Sequence, residues 1–151
     1  MTKLRDIMRT GFLFAVRTDA TVAEAARTMS EKRVGIVAVL DDCRLVGVFS
    51  ERDAVRRVID KGRDPHATLV DEVMTGDPVV AAEDEDYQTA LRRMDRANVR
   101  HLPVMRGLQV VAMVSLRDLL RVDLERTSEE LRFLKTYLQT ILPDVSDGGG
   151  I

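Results

Sequence analysis

Two serine–aspartate pairs carry the chemistry this chain is best equipped for. Ser50-Glu51-Arg52-Asp53 and Ser115-Leu116-Arg117-Asp118 each set a hydroxyl and a carboxylate three positions apart, with an arginine between them. An aspartate carboxylate so placed accepts both hydroxyls of a ribose diol, as an acidic residue does in dinucleotide folds. A serine hydroxyl beside the free N–H groups of a helix start holds phosphate oxygens. Gly47, just ahead of the first serine, leaves room for a ligand to approach the backbone. Each residue alone has a plainer role. Serine caps helix N-termini, and aspartate in a first helical turn favours the helix dipole. The recurrence of the whole pattern, arginine included, tips the reading toward a ligand site.

A second constellation is Asn98-Val99-Arg100-His101-Leu102-Pro103-Val104, with two basic side chains at the start of an apolar strand. Adjacent strand residues face opposite ways, so one of Arg100 and His101 is expected to face a cleft. Arginine grips phosphate with a planar fork, which makes Arg100 the favoured phosphate ligand over a solvated surface arginine. For His101 the plainer reading, a partly buried hydrogen-bonded ring, is the better one. Gly35 and Ile36 stand at the corresponding places earlier in the chain, so the two half-sites differ chemically.

That correspondence is a duplication. At an offset of about 65 residues Ala25 meets Ala90, Arg27 meets Arg92, Met29 meets Met94, Val39 meets Val104 and Arg56 meets Arg121. Each copy reads as an approach segment (Leu4 to Met8, Val70 to Met74), a short extended stretch (Phe14 to Val16, Val79 to Ala81) and a capped helix. The helix caps are Asp19-Ala20-Thr21 and Asp84-Glu85-Asp86. Two strands follow, Ile36 to Leu40 with Leu45 to Phe49, and His101 to Met105 with Gln109 to Val114. Ser-x-x-Asp then opens a second helix, Glu51 to Lys61 or Leu116 to Arg126. Two such copies packed together place both turns around one cleft, a candidate small-ligand site. Beyond Arg126, Thr127-Ser128-Glu129-Glu130 reads as a new helix cap, with Leu131, Leu134, Leu138 and Ile141 at coiled-coil spacing until Pro143.

The bulk composition excludes several classes. The chain has 151 residues, 45% apolar and 32% charged, with a net charge of −2 and only 4% aromatic residues. Without a basic excess or stacking platforms, nucleic acid is not the expected partner. The longest apolar runs are strand-sized, so no membrane span is expected, and the polar start is no signal peptide. A single cysteine, Cys43, excludes an internal disulfide framework and fits a reducing cytoplasm. Cys43, His66 and His101 lack metal-ligand spacing, and no nucleophile has a base beside it, so neither a metal nor an enzyme is expected.

Residues 4 to 126 resemble a tandem CBS-domain pair, the Bateman module. The resemblance rests on Ile7-Met8, Val73-Met74-Thr75, the helix starts Thr21-Val22 and Asp86-Tyr87, Arg100-His101-Leu102-Pro103-Val104 and Gly47-Val48-Phe49-Ser50-Glu51-Arg52-Asp53. It implies an adenosyl ligand (AMP, ADP, ATP, NAD or S-adenosylmethionine) held between the repeats, with no cofactor required. Asp53 and Asp118 would take ribose. Ser50 and Ser115, with Arg100 or His101, would take phosphate, and Arg52 and Arg117 are expected to belong to the same nucleotide site. Adenine would slot near Ala20 and Ala25, or Glu85 and Ala90. Ala112 stands where the motif has glycine, which makes the Asp118 site the secondary one.

The expected fold class is therefore α+β, an α/β-type sandwich of two tandem β-α-β-β-α CBS repeats packed pseudo-symmetrically, plus a C-terminal helix. Residues 1–65 form repeat one with its approach segment, 66–126 repeat two, 127–143 the helix and 144–151 a disordered tail. The expected function is an adenine-nucleotide sensor that acts on an unidentified regulated protein through conformational or oligomeric change. The resemblance also implies a disc-like homodimer. The rival is a ligand-free scaffold for protein interaction.

Overall fold

Local sequence signals account for where the elements begin and end in the computed structural model, which describes residues 1–8 and 13–141. Helix α1 is the single turn Leu4–Ile7, and strand β1 is Ala15–Arg17. Helix α2, Val22–Lys32, starts at a reciprocal cap. The Thr21 hydroxyl accepts from the Glu24 N–H at 3.1 Å, and the Glu24 carboxylate accepts from the Thr21 N–H at 3.0 Å. Val22, Ala25 and Met29, at helical spacing, form its buried stripe. The helix ends on Arg33 in the left-handed conformation, φ 56°.

Strands β2, Ile36–Asp41, and β3, Arg44–Ser50, make an antiparallel hairpin. The chain then enters α3, Glu51–Asp53, which runs directly into a π-helical segment, Ala54–Ile59. The second copy repeats the scheme with α4, Val70–Val73; β4, Thr75–Gly76; β5, Ala81–Ala82; α5, Tyr87–Ala97; β6, His101–Arg106; and β7, Gln109–Ser115. Helix α5 ends on Asn98 at φ 53°, the counterpart of Arg33. Even the irregularities repeat. The β2–β3 ladder shifts register between Val39 and Leu40, and the β6–β7 ladder between Val104 and Met105. The sheets run β1-β2-β3-β4 and β5-β6-β7, with β1–β2 and β5–β6 parallel, and they approach each other through β3 and β7.

The approach segments are exchanged between the copies in their packing, each lying in the core of the other copy. The Leu4 N–H donates to the Glu85 carbonyl and the Arg5 N–H to that of Glu83, both at 2.9 Å. Leu4 is buried with Tyr87, Ala90 and Leu102 in the second core. In the mirror-image contact, the Val70 N–H donates to the Ala20 carbonyl at 2.8 Å, and Val70 and Val73 are buried with Val22, Ala25 and Phe49. Each such apolar side chain contributes about 1.5–3 kcal/mol on burial. Each core is thus completed by a segment from the other copy.

A difference lies in α6, which runs unbroken from Leu116 to Ile141. The expected cap at Thr127 does not form. Its hydroxyl instead donates to the Asp123 carbonyl at 2.9 Å, the back-bonding open to a mid-helix threonine. No glycine or proline interrupts residues 116–141, so nothing in the chain stops the helix at Arg126. Pro143 and the expected tail, 144–151, lie outside the described residues.

Candidate functional site

Both Ser-x-x-Asp turns are reciprocal helix caps. The Ser50 N–H donates to Asp53 Oδ2 at 3.0 Å, and the Asp53 N–H donates to Ser50 Oγ at 3.2 Å. The Ser115 N–H donates to Asp118 Oδ2 at 3.2 Å, and the Asp118 N–H to Ser115 Oγ at 3.1 Å. The surroundings then diverge. Asp53 is buried, and its Oδ1 faces Arg57 at 3.8 Å. The Arg57 guanidinium in turn donates to the carbonyls of Val73 and Met74, at 3.0 and 2.8 Å, holding the end of α4. In the second copy Val122 occupies the place of Arg57. Asp118 is exposed, and its Oδ1 makes no hydrogen bond or ion pair among the described residues.

Asp118 opens onto a cleft of about 940 Å³ between the two copies. Ser115 at the end of β7 and Arg117 and Arg121 in the first turns of α6 line it, with Arg100 just before β6 and His101 at its start. Copy one contributes Arg33, Gly35 and Ile36, and the apolar wall includes Ile7, Met8, Phe14 and Met113. Four arginines thus line the cleft together with one aspartate, an arrangement suited to an anionic ligand that also carries a diol. Both Arg100 and His101 line the cleft, where strand alternation had allowed one. Arg100 precedes β6, in a bend, so alternation does not govern it. Its carbonyl accepts from the Leu116 N–H at 2.8 Å, tying the bend to the start of α6. Burial is the main influence on His101 and pushes its pKa down, with Arg100 adding to this while Asp118 and Glu51 oppose it. Burial thus favours the neutral ring, with Arg100, Asp118 and Glu51 as its charged neighbours.

Other expected site residues lie elsewhere. Asp53, Ser50, Gly47 and Arg52 do not line this cleft, nor do Ala20 and Ala25. The space beside Gly47 belongs to the chain itself: a Cβ there would meet the Thr75 carbonyl oxygen at 2.8 Å and the Met74 sulfur at 2.5 Å. The glycine serves the close passage of β4, to which it pairs at Gly76. Ala25 is fully buried in the first core, and the Ala20 carbonyl is taken by Val70. Ala90 is likewise buried, and the Glu85 carboxylate pairs with Arg93 at 2.8 Å. The exchanged approach segments cover the surfaces on which adenine was expected. Arg33 and Arg121 were not singled out from the sequence. Their signal was the offset itself, which sets Arg33 to Ile36 opposite Asn98 to His101.

Among the described residues, no group of three His, Cys, Asp or Glu side chains could hold a metal ion. Nor is any helix among them long and apolar enough to cross a membrane.

Comparison with known proteins agrees with this architecture. The family model for the CBS domain matches residues 4–60 and again 70–125. The mitochondrial CBS domain-containing protein CBSX3 of Arabidopsis thaliana is 29% identical over 149 residues, 91% of this chain and 72% of that protein. Meiotically up-regulated gene 70 protein of Schizosaccharomyces pombe is 38% identical over 118 residues, which span 78% of this chain but 16% of that protein. Hypoxic Response Protein I, solved with two coordinated zinc ions, superposes with a TM-score of 0.72 at 30% identity, over 80% of this chain and 98% of the other. At the level of fold, a CBS domain protein from Pyrobaculum aerophilum complexed with AMP gives 0.72 at 23% identity, over 78% and 89% of the two chains. A CBS domain pair in complex with 5′-methylthioadenosine and S-adenosyl-L-methionine gives 0.75 at 22% identity, over 83% and 98%.

Proposed function

The chain belongs to the CBS domain family, and on that premise we propose that it is a non-catalytic regulatory module that binds an adenosyl nucleotide in the cleft built on Asp118. The observation that carries this reading is the pairing of one outward-facing carboxylate with four arginines at the junction of the two repeats. Asp118 takes the ribose diol. Ser115 and the Arg117 N–H at the start of α6 take the nearest phosphate, and the side chains of Arg100, Arg117, Arg121 and Arg33 take the phosphate chain. The apolar wall around Phe14, Ile36 and Met113 receives the base. At about 940 Å³ the cleft lies within the range of small-molecule sites.

Both copies line the cleft, so a bound nucleotide bridges them and favours the arrangement in which they fit it. That differential affinity is what lets a ligand shift a conformational equilibrium. The output is a conformational or oligomeric change, passed through a homodimer to a regulated protein. The excess of arginine favours a polyphosphate, ATP or ADP, over AMP or S-adenosylmethionine.

The ligand-free scaffold reading draws its support from the first repeat, where Asp53 is committed to Ser50 and Arg57. Thermal unfolding with AMP, ADP, ATP, NAD and S-adenosylmethionine separates the two readings. A ligand at about 100 times its dissociation constant adds about 2.7 kcal/mol, or roughly 5–10 °C for a chain of this size. The sensor reading expects such a rise with ATP or ADP. A flat response to all five at millimolar concentration leaves the scaffold.

A further inference from the structure

Helix α6 carries an apolar stripe that the body of the protein leaves uncovered. From residue 127 to its end at Ile141 every residue of the helix is exposed. Within this stretch and the turn before it, Leu124, Leu131 and Leu138 recur every seven residues. Thr127, Leu134 and Ile141 interleave at the same period, so the two sets alternate by three and four as the a and d positions of a coiled coil. All five apolar members are about half exposed or more. The stripe lies roughly a quarter turn around the helix from Leu119, the residue that anchors α6 on the core. It therefore points sideways and cannot fold back on its own module without breaking α6.

We propose that this half of α6 pairs with the same segment of a second copy as a parallel two-stranded coiled coil. Three observations select that occupant. The stripe is self-complementary, leucine facing leucine at all three a layers and apolar residues at two of the three d layers, as a two-fold axis requires. Charge then chooses the direction. In the parallel arrangement Glu130, at g, lies beside Lys135 of the second copy, at the following e position, and the same attraction recurs across the axis. An antiparallel arrangement pairs g with g and e with e, and so loses both contacts. Glu130 already holds Arg126 at 3.2 Å through one oxygen, Oε1, so its other oxygen is open to the incoming ammonium. Finally, ten stripe side chains at on the order of 100 Å² each give about 1,000 Å², near the lower limit for a specific interface. An interface of that size makes a reversible dimer rather than an obligate one.

The pairing has a mechanical consequence, because α6 also supplies the cleft residues Leu116 to Val122 near its start. One unbroken helix joins the ligand-facing cap to the dimer seam. The proposal does not depend on the nucleotide reading and adds a location to the homodimer proposed above.

Sedimentation equilibrium of the full chain at about 100 µM tests it, with a Leu131→Glu/Leu138→Glu double variant beside it. Wild type is expected to give the mass of a dimer and the double variant that of a monomer, with the monomer still folded because neither leucine supports the core. A Cys43→Ser/Leu134→Cys chain, which leaves one cysteine at a d layer, is expected to form a disulfide-linked dimer on mild oxidation. A monomeric wild type overturns the proposal. So does a dimer that survives the two glutamates, which would place the homodimer on another face. Failure of the engineered thiols to cross-link in a dimeric chain overturns the parallel arrangement.

Discussion

Replacing each aspartate of the two Ser-x-x-Asp turns by alanine should separate stability from binding in opposite directions. Asp53→Ala leaves the Ser50 N–H without its acceptor in a part-buried setting, and it frees Arg57 from its ion pair. The unsatisfied donor costs about 1–3 kcal/mol. The ion pair, at 3.8 Å to a half-exposed arginine, adds only about 0.2–1 kcal/mol. A total near 2–3 kcal/mol follows, or about 4–12 °C in unfolding midpoint. Asp118→Ala removes the same cap at an exposed position, where water replaces the lost acceptor, for about 0.5–1 kcal/mol. Its midpoint should fall by about 1–4 °C. In calorimetric titration with ATP the order reverses: Asp118→Ala loses about tenfold or more in affinity, while folded Asp53→Ala binds within about threefold of wild type. Equal midpoint losses would refute the claim that Asp53 is the structural member of the pair. A greater loss of binding in Asp53→Ala would refute the assignment of the cleft.

Gly47→Ala should cost about 1–3 kcal/mol by pressing a methyl group on Met74 and the Thr75 carbonyl, while leaving ligand affinity unchanged in denaturant-free titration. Arg33→Asn should raise stability by up to about 1 kcal/mol, since asparagine tolerates the left-handed backbone better, yet weaken ATP binding by losing a cleft cation. Burial favours the neutral His101 ring, so its contribution to stability is complete above about pH 6.5 and declines as pH falls below that value. Phosphate in the cleft favours the protonated ring, so affinity should rise over the same descent. His101→Gln should flatten both trends relative to wild type, as followed by unfolding and titration between about pH 5.5 and 7.5.

Much of the fold was legible because its signals are local and appear twice. The caps at Thr21 and Asp86, the hairpins on either side of Asp42 and Gly107, and the Ser-x-x-Asp helix starts all follow from neighbours in sequence. The exchange of Leu4 and Val70 between the cores was not legible, since both segments are short, apolar and equally suited to either partner. The continuity of α6 was missed because Thr127-Ser128-Glu129-Glu130 has the composition of a cap. Composition does not reveal that the chain is already helical when it arrives there. At the site, the ranking read from the sequence followed Gly47, whose missing side chain makes room for β4. The more informative difference was Arg57 against Val122, which decides whether the neighbouring carboxylate is engaged by the chain or left facing the cleft.

The central claim is that the two repeats share one nucleotide cleft, built on Asp118, while the Asp53 turn holds the fold together. Equilibrium titration of the full chain with ATP to saturation, counting nucleotide bound per chain, tests it most directly. The account predicts one nucleotide per chain, bound about tenfold or more weakly in Asp118→Ala and within about threefold of wild type in Asp53→Ala. Two nucleotides per chain, or an affinity unchanged in Asp118→Ala, would contradict it.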